Sequence, residues 1–586
     1  MNFLRNFLAA ILGSLVAFGI VFVMFFIFIS LIGSGEDAVN VKNNSVLEIQ
    51  LQRPIADYTG SSDINPLSGL FEESQGLDEI LHAITVAKDD ERIKGISINN
   101  NFLLAGLAQT QTLRKVLKEF KQKDKFIYTY GDFYSQKDYY LASVADSVFL
   151  NPVGVLDFRG LSSEVLYYKD LQEKTGVKME VIRHGKYKSA VEPYLENEMS
   201  EANRTQIKEL IQSLWNSMIS DISEDRGLTV DNLNIIADTL GGRLPRYAKQ
   251  NQLIDDILFY DEYERKIAYA LSESENEDIN YITLDEYTKY SSKKEVKSGK
   301  DKIAVIFAQG EIFYGEGGPD VIGQGIINKA LIKAREDEKV KAIVLRVNSP
   351  GGSALTSDII WREVELAKAV KPVVVSMGNV AASGGYYIAA GATKIFAEPT
   401  TITGSIGVFG TIPNLHGLSE EIGINAEQVG TNKNSIEYSF FEPMSETFRN
   451  QVQESIEDTY QTFLARVSDG RNMSMAQADS IAQGRVWSGV DAKRLGLVDE
   501  LGTLEDAIEE AAILAEIESY GIRKYPKYKS GFERFMEDIS GAGAKAKDNL
   551  IKQEIGEEAY KVLKEVKSFM NQKGVQARMP FILNID

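Results

Sequence analysis

Shifted by 247 residues, this chain lies on itself: Asp89–Lys186 aligns with Glu336–Lys433 without a gap. Matched pairs include Asp90 with Asp337, Lys94 with Lys341, Asn101 with Asn348 and Gly131 with Gly378. They continue with Tyr139 and Tyr386, Tyr140 and Tyr387, Phe149 and Phe396, Pro152 and Pro399, Gly160 and Gly407, and Gly176 and Gly423. Identity is low, yet one register holds through apolar runs, turns and amphipathic stretches alike. Further on, Gly242-Arg243 and Leu253-Ile254-Asp255 echo Gly484-Arg485 and Leu497-Val498-Asp499. A duplicated unit must fold twice by the same rules, so the repeat narrows the possible architectures sharply.

The unit itself reads as alternating strands and helices. Ser45–Gln52 alternates like a strand, Asp78–Lys88 has helical periodicity, and Ile93–Asn99 is an apolar strand. Thr110–Lys123 reads as a helix and Phe126–Tyr130 as a strand. The polar, charged stretch Lys289–Asp301 follows, and then the pattern restarts. Lys302–Gln309 is a strand, Gly325–Glu336 a helix and Val340–Val347 a strand. This alternation implies parallel α/β layers in both halves. The expected organisation is an N-terminal segment 1–36, a first α/β repeat 37–288, a linker 289–301, a second repeat 302–522 and a helical tail 523–586 that includes Glu554–Met570. Lys289–Asp301 could instead be a long solvated loop inside one domain.

Asn6–Gly35 contains no charged residue and is rich in Phe, Ile, Val and Leu. It exceeds the ~20 residues that span a bilayer. Arg5 precedes it, and Glu36 and Asp37 follow. The positive-inside rule then keeps the N-terminus in the cytoplasm and exports the rest. The apolar core is long for a signal peptide and no Ala-x-Ala site follows it, so the expectation is one uncleaved transmembrane helix.

Composition excludes other classes. A net charge of −20 argues against nucleic-acid binding. With no cysteine, thiol catalysis and disulfides are excluded. His82, His184 and His416 are scattered without metal-ligand spacing.

The two halves differ where chemistry would sit. The apolar run from Val373 leads through Gly378 and Asn379 into Ala-Ala-Ser-Gly-Gly, and a helical segment follows. Ser383 at that strand-to-helix junction is the candidate nucleophile. Small neighbours let a substrate backbone approach, and the helix start favours developing negative charge. A plain helix-capping serine is the alternative. Upstream, Lys341–Val347 ends in Asn348-Ser349-Pro350-Gly351-Gly352-Ser353. Such a turn presents N–H groups of the kind an oxyanion hole needs, although an ordinary tight turn has the same composition. The first half has Gln136 opposite Ser383 and Leu103-Leu104-Ala105 opposite Pro350-Gly351-Gly352. It has instead the run Arg183–Pro193, whose Lys188 falls opposite Ser435. A lysine can serve as base once burial lowers its pKa, and Tyr187, Ala190 and Val191 could shield Lys188. A solvated surface lysine is the usual fate of the residue type. Lys186 and His184 are the competing bases, and no Asp partner for His184 is evident. Each half is therefore expected to hold part of one site.

VAASGGYYIA, the NSPGG turn, TGSIGV and YKSAVEP together resemble the long, duplicated form of the signal peptide peptidase A family, membrane-bound serine proteases. The resemblance spans roughly residues 45–520 and implies a Clp protease/crotonase-like fold in each half. It implies a Ser/Lys dyad, with Ser383 as nucleophile and Lys188 as general base. Gly384 and one of Gly351 or Gly352 would supply the oxyanion-hole N–H groups. No cofactor or metal is implied. The expected substrates are signal peptides and other apolar peptides at the inner membrane, with the catalytic body on the exported side. A homo-oligomer, a tetramer, is expected. Tyr386 and Tyr387 could line the cleft, though helix packing is the preferred reading. Two other functions fit such a fold: an acyl-thioester enzyme, which an exported body disfavours, and a non-catalytic membrane scaffold, which the intact serine, glycine and lysine set disfavours.

Overall fold

The computed structural model describes residues 39–60, 74–100, 102–272, 278–435, 438–528 and 576–578, with part of a helical run between 5 and 24. Two parallel sheets with the same strand order form the centres of the two halves. The first runs, in spatial order, Asp256–Ile257, Ser147–Leu156, Phe126–Tyr134, Ile93–Asn99, Ser45–Ile49 and Asn280–Thr283. The second runs Glu500–Leu501, Lys394–Ala397, Val373–Ala382, Val340–Ser349, Asp301–Gln309 and Tyr520–Tyr525. Ile402–Gly404 extends the far end of Val373–Ala382 and carries Val486–Ser488 antiparallel to it.

The repeat register survives in three dimensions. The helices Leu77–Asp89 and Gln324–Glu336 stand 247 residues apart, as do Leu107–Lys121 and Ala354–Lys368. Strands of near-continuous Val, Ile and Leu are buried on both faces, as parallel α/β sheets require. Val340, Ala342, Ile343, Val344 and Leu345 are all fully buried. The tandem α/β architecture expected from the repeat is the one observed. The helix read from Thr110 begins three residues earlier, at Leu107, because Gly106 N–H donates to Gln109 Oε1 at 2.9 Å and closes its first turn. The strand read as ending at Tyr130 continues to Tyr134 beyond an irregularity at Gly131–Phe133.

A third sheet belongs to neither half alone. Its order is Val321–Gly323, Glu311–Phe313, Gly351–Ser353, Gln576–Arg578, Val408–Asn414 and Lys178–His184. Lys178–His184 comes from the first half and pairs antiparallel with Val408–Asn414 of the second, Val408 opposite His184 and Asn414 opposite Lys178. At the repeat-equivalent place, 425–431, the second half has no strand. The duplicated units have therefore diverged into a shared sheet. A buried ion pair also joins them: Arg346 Nε donates to Asp57 Oδ2 at 2.7 Å, each side chain 2% exposed.

Most of Asn6–Gly35 lies outside the described residues, and so does Glu554–Met570. Among the described residues no helix is long and apolar enough to cross a membrane.

Candidate active site

Ser383 stands where the strand Val373–Ala382 meets the helix Gly384–Ala389. Its backbone has φ 55° and ψ −115°, a left-handed conformation that costs a non-glycine residue about 1–3 kcal/mol. The bend is held by Ser383 N–H donating to Gly404 O at 2.8 Å. The capping alternative is not realised: the Ser383 side chain makes no cap hydrogen bond. Its Oγ meets Lys188 Nζ at 2.9 Å instead.

Lys188 arrives at the end of the cross-half strand, one short turn after His184. Its side chain is fully buried. Nζ also lies 2.9 Å from Ser405 O and 2.9 Å from Ser405 Oγ, with the Phe409 ring 5.9 Å away. Desolvation by burial holds its pKa well below the usual lysine range. The backbone around it is clamped from several directions. Tyr187 N–H donates to Gln483 O at 2.8 Å. Gln206 Nε2, on the helix Glu201–Arg226, donates to Tyr187 O at 3.0 Å and to Ser189 Oγ at 2.7 Å. Gly484, at φ +78°, passes so close that a β-carbon there would stand 2.6 Å from Lys188 Cβ.

The competing bases sit elsewhere. His184 faces Glu457, Nδ1 to Oε1 at 2.8 Å, and stacks on Tyr460 with ring centroids 3.8 Å apart. Lys186 is exposed, its Nζ over the Tyr187 ring. Ser435, the repeat partner of Lys188, is also exposed and donates Oγ to Asn432 O within its own turn.

The glycine turn forms the other wall. Gly351 and Gly352 adopt φ 102° and 152°, and a β-carbon on Gly352 would stand 2.1 Å from Ile312 O. Neither site admits a side chain. Gly351 N–H donates to Ser349 Oγ at 3.1 Å. Gly384 N–H lies in the first turn of its helix, where no intrahelical acceptor exists. A β-carbon built on Gly384 would stand 3.2 Å from Gly352 N, so the two glycine segments converge beside Ser383. Tyr386 and Tyr387 are packing residues. Both rings are buried, and their hydroxyls donate to Leu497 O at 2.8 Å and Asp358 Oδ1 at 2.7 Å.

Nothing in the sequence pattern singles out Ser405 or Ser349 individually. Ser405 lies within the TGSIGV motif, which was the available signal, but only the folded chain brings its two oxygens to Lys188.

A strained serine, a buried amine within hydrogen-bonding reach and two glycine segments converging beside them are the parts of a serine acyl-transfer enzyme built on tandem α/β repeats. The family model "Peptidase family S49" matches this chain twice, at residues 119–272 and 365–518. Protease 4 of Haemophilus influenzae is 38% identical over 443 residues, 74% of this chain and 72% of its own. Protease 4 of Salmonella typhi is 39% identical over 479 residues, 80% of this chain and 77% of its own. The chloroplastic serine protease SPPA of Arabidopsis thaliana is 32% identical over 486 residues, 81% of this chain and 70% of its own. The chain belongs to peptidase family S49 and is an SppA-type protease of the duplicated form.

Proposed function

We propose that this protein is a membrane-anchored serine endopeptidase with a Ser383/Lys188 dyad, degrading cleaved signal peptides and other apolar peptides. The observation that carries the reading is the 2.9 Å approach of Lys188 Nζ to Ser383 Oγ inside a fully buried pocket. A neutral amine has two N–H donors and one lone pair. With its N–H groups on Ser405 O and Ser405 Oγ, its lone pair is left for the Ser383 hydroxyl proton. In the acylation step Ser383 Oγ attacks the scissile carbonyl carbon and its proton passes to Lys188 Nζ. Gly384 N–H and one from Gly351 or Gly352 receive the developing oxyanion. Lys188 then protonates the leaving amine, and a water activated by the same amine hydrolyses the acyl-serine.

The names of its relatives support peptide-bond chemistry, and the uncharged run Asn6–Gly35 supports an anchor in the inner membrane with the body on the exported side. A homo-oligomer, read as a tetramer, completes the proposal. Intact-mass labelling of the detergent-solubilised protein with a fluorophosphonate tests the dyad. One adduct is expected on the parent and none on Ser383→Ala, with labelling of Lys188→Ala slowed about 10²-fold or more. Persistent labelling of Ser383→Ala would sink the nucleophile. Full-rate labelling of Lys188→Ala would sink the base.

A further inference from the structure

Three left-handed residues other than glycine meet around Lys188. Ser383, Ser405 and Gln483 have φ of 55°, 52° and 52°. Such backbones persist only where the surroundings over-determine them, and they gather at functional sites. Ser383 and Ser405 carry the oxygens that face Lys188 Nζ. Gln483 reaches the lysine through the backbone, its carbonyl accepting the Tyr187 N–H at 2.8 Å. The turn Ala482–Arg485 is tied to Ser405 as well: Ser405 N–H donates to Arg485 O at 2.6 Å, and Gly484 N–H to Ile406 O at 2.8 Å. One turn thus grips both the arm of the lysine and the serine that takes its N–H groups. The sequence echo Gly242-Arg243 has no such task. A β-carbon on Gly242 would meet Leu156 Cδ2 at 2.8 Å, where one on Gly484 would meet Lys188.

Side chains of the second half pin this turn. Gln483 Nε2 donates to Asp479 Oδ1 at 2.6 Å, near the end of the helix Met475–Ile481. Tyr460, buried on the helix Glu446–Gly470, donates its hydroxyl to the same Asp479 oxygen at 2.5 Å. That hydroxyl oxygen accepts from Gln483 Nε2 at 3.3 Å and from Gln483 N–H at 3.4 Å. The Tyr460 ring also lies against His184, the last residue of the strand that delivers Lys188. A carboxyl group, a phenol and an amide interlocked in this way hold Gln483 in its left-handed state against the steric cost.

We propose that Gln483 is a positioning residue for the Lys188 amine, keeping it in line with Ser383 through the turn Ala482–Arg485. The inference rests on the Ser383/Lys188 reading. If the turn shifts, the backbone at Tyr187 and the acceptors on Ser405 shift with it. The amine's lone pair then no longer points at the Ser383 hydroxyl, and a misplacement of about 1 Å is enough to slow a reaction severely. Tyr460 and Asp479 act one contact further out.

The test uses the detergent-solubilised full chain and an apolar reporter peptide. Gln483→Gly removes the amide, but glycine takes the left-handed backbone without strain, so the melting temperature is expected to stay near the parent's. Its kcat is expected to fall about tenfold with KM little changed. The pH at which kcat/KM reaches half its plateau is expected to rise, because a loosened turn admits water and lessens the desolvation that lowers the Lys188 pKa. Tyr460→Phe keeps the ring against His184 and is expected to act in the same direction, so it serves if Gln483→Gly does not fold. The double variant is expected to do no more than Gln483→Gly alone. A folded variant with the parent's kcat, one whose kcat falls while the pH midpoint stays, or two effects that add in full would overturn the positioning role. Lys188→Met is run alongside. If it hydrolyses the reporter as fast as the parent, the dyad itself falls. If it is inactive while both turn variants match the parent, only the role of Gln483 falls.

Discussion

Under the proposed dyad, Lys188 is the residue at which stability and activity oppose each other. Folded, it titrates well below the unfolded side chain, whose pKa is about 10.4. Between those two values the unfolded chain binds the additional proton, so a falling pH favours unfolding until the folded pKa is passed. Above the unfolded value the penalty vanishes. Lys188→Met, of similar length and without the charge, is therefore expected to raise the melting temperature at pH 7. The gain should close as pH approaches 10. Thermal melts of parent and variant across pH check this. The same variant should lose about 10²–10⁴ in kcat/KM. In the parent, kcat/KM should rise with pH as the folded amine loses its proton, and a flat profile would remove Lys188 as base.

At the scale of elements, the helix Glu201–Arg226 is what aims the lysine. Gln206 holds Tyr187 O and Ser189 Oγ, and Ser189 Oγ reaches Asn203 Oδ1 at 2.9 Å. These contacts bracket Lys188 on both sides along the chain. Gln206→Ala leaves buried acceptors without their donor, a loss of about 1–3 kcal/mol. A merely structural effect would lower the melting temperature and leave kcat intact in the folded fraction. Positioning instead predicts a kcat reduced about tenfold with KM little changed. Steady-state kinetics on the folded protein decide between them.

At the scale of the molecule, Ser383 and Lys188 come from different halves, so the proposed dyad requires the halves to keep one relative position. The Asp57–Arg346 pair contributes to that. Arg346 also donates to Ser376 Oγ and Met377 O, each at 2.8 Å, and Asp57 Oδ1 accepts from Gln109 Nε2 at 2.8 Å. Removing one partner of a buried pair strands the other charge, at a cost of about 3–5 kcal/mol. Arg346→Met is expected to destabilise by that amount in urea unfolding, and Asp57→Asn with Arg346→Met to recover part of it. An additive double variant would show that the pair does not couple the halves.

The sequence by itself determined the repeat and the parallel α/β class, and it marked Ser383, Lys188 and the glycine turn as candidates, Lys188 through the family resemblance. Those features are local or periodic: apolar runs of strand length, glycines at left-handed backbone positions, and a register kept across 247 residues. Only the tertiary structure decided that Lys178–His184 joins a sheet of the other half, since strand pairing between distant segments leaves no periodic signal. It alone brought Ser405 to the Lys188 amine and His184 to Glu457, separated by 217 and 273 residues from their partners. It also seated Ala577 against Gly351. The three-residue strand Gln576–Arg578 has no pattern of its own to announce it, and is defined by the two edges it completes.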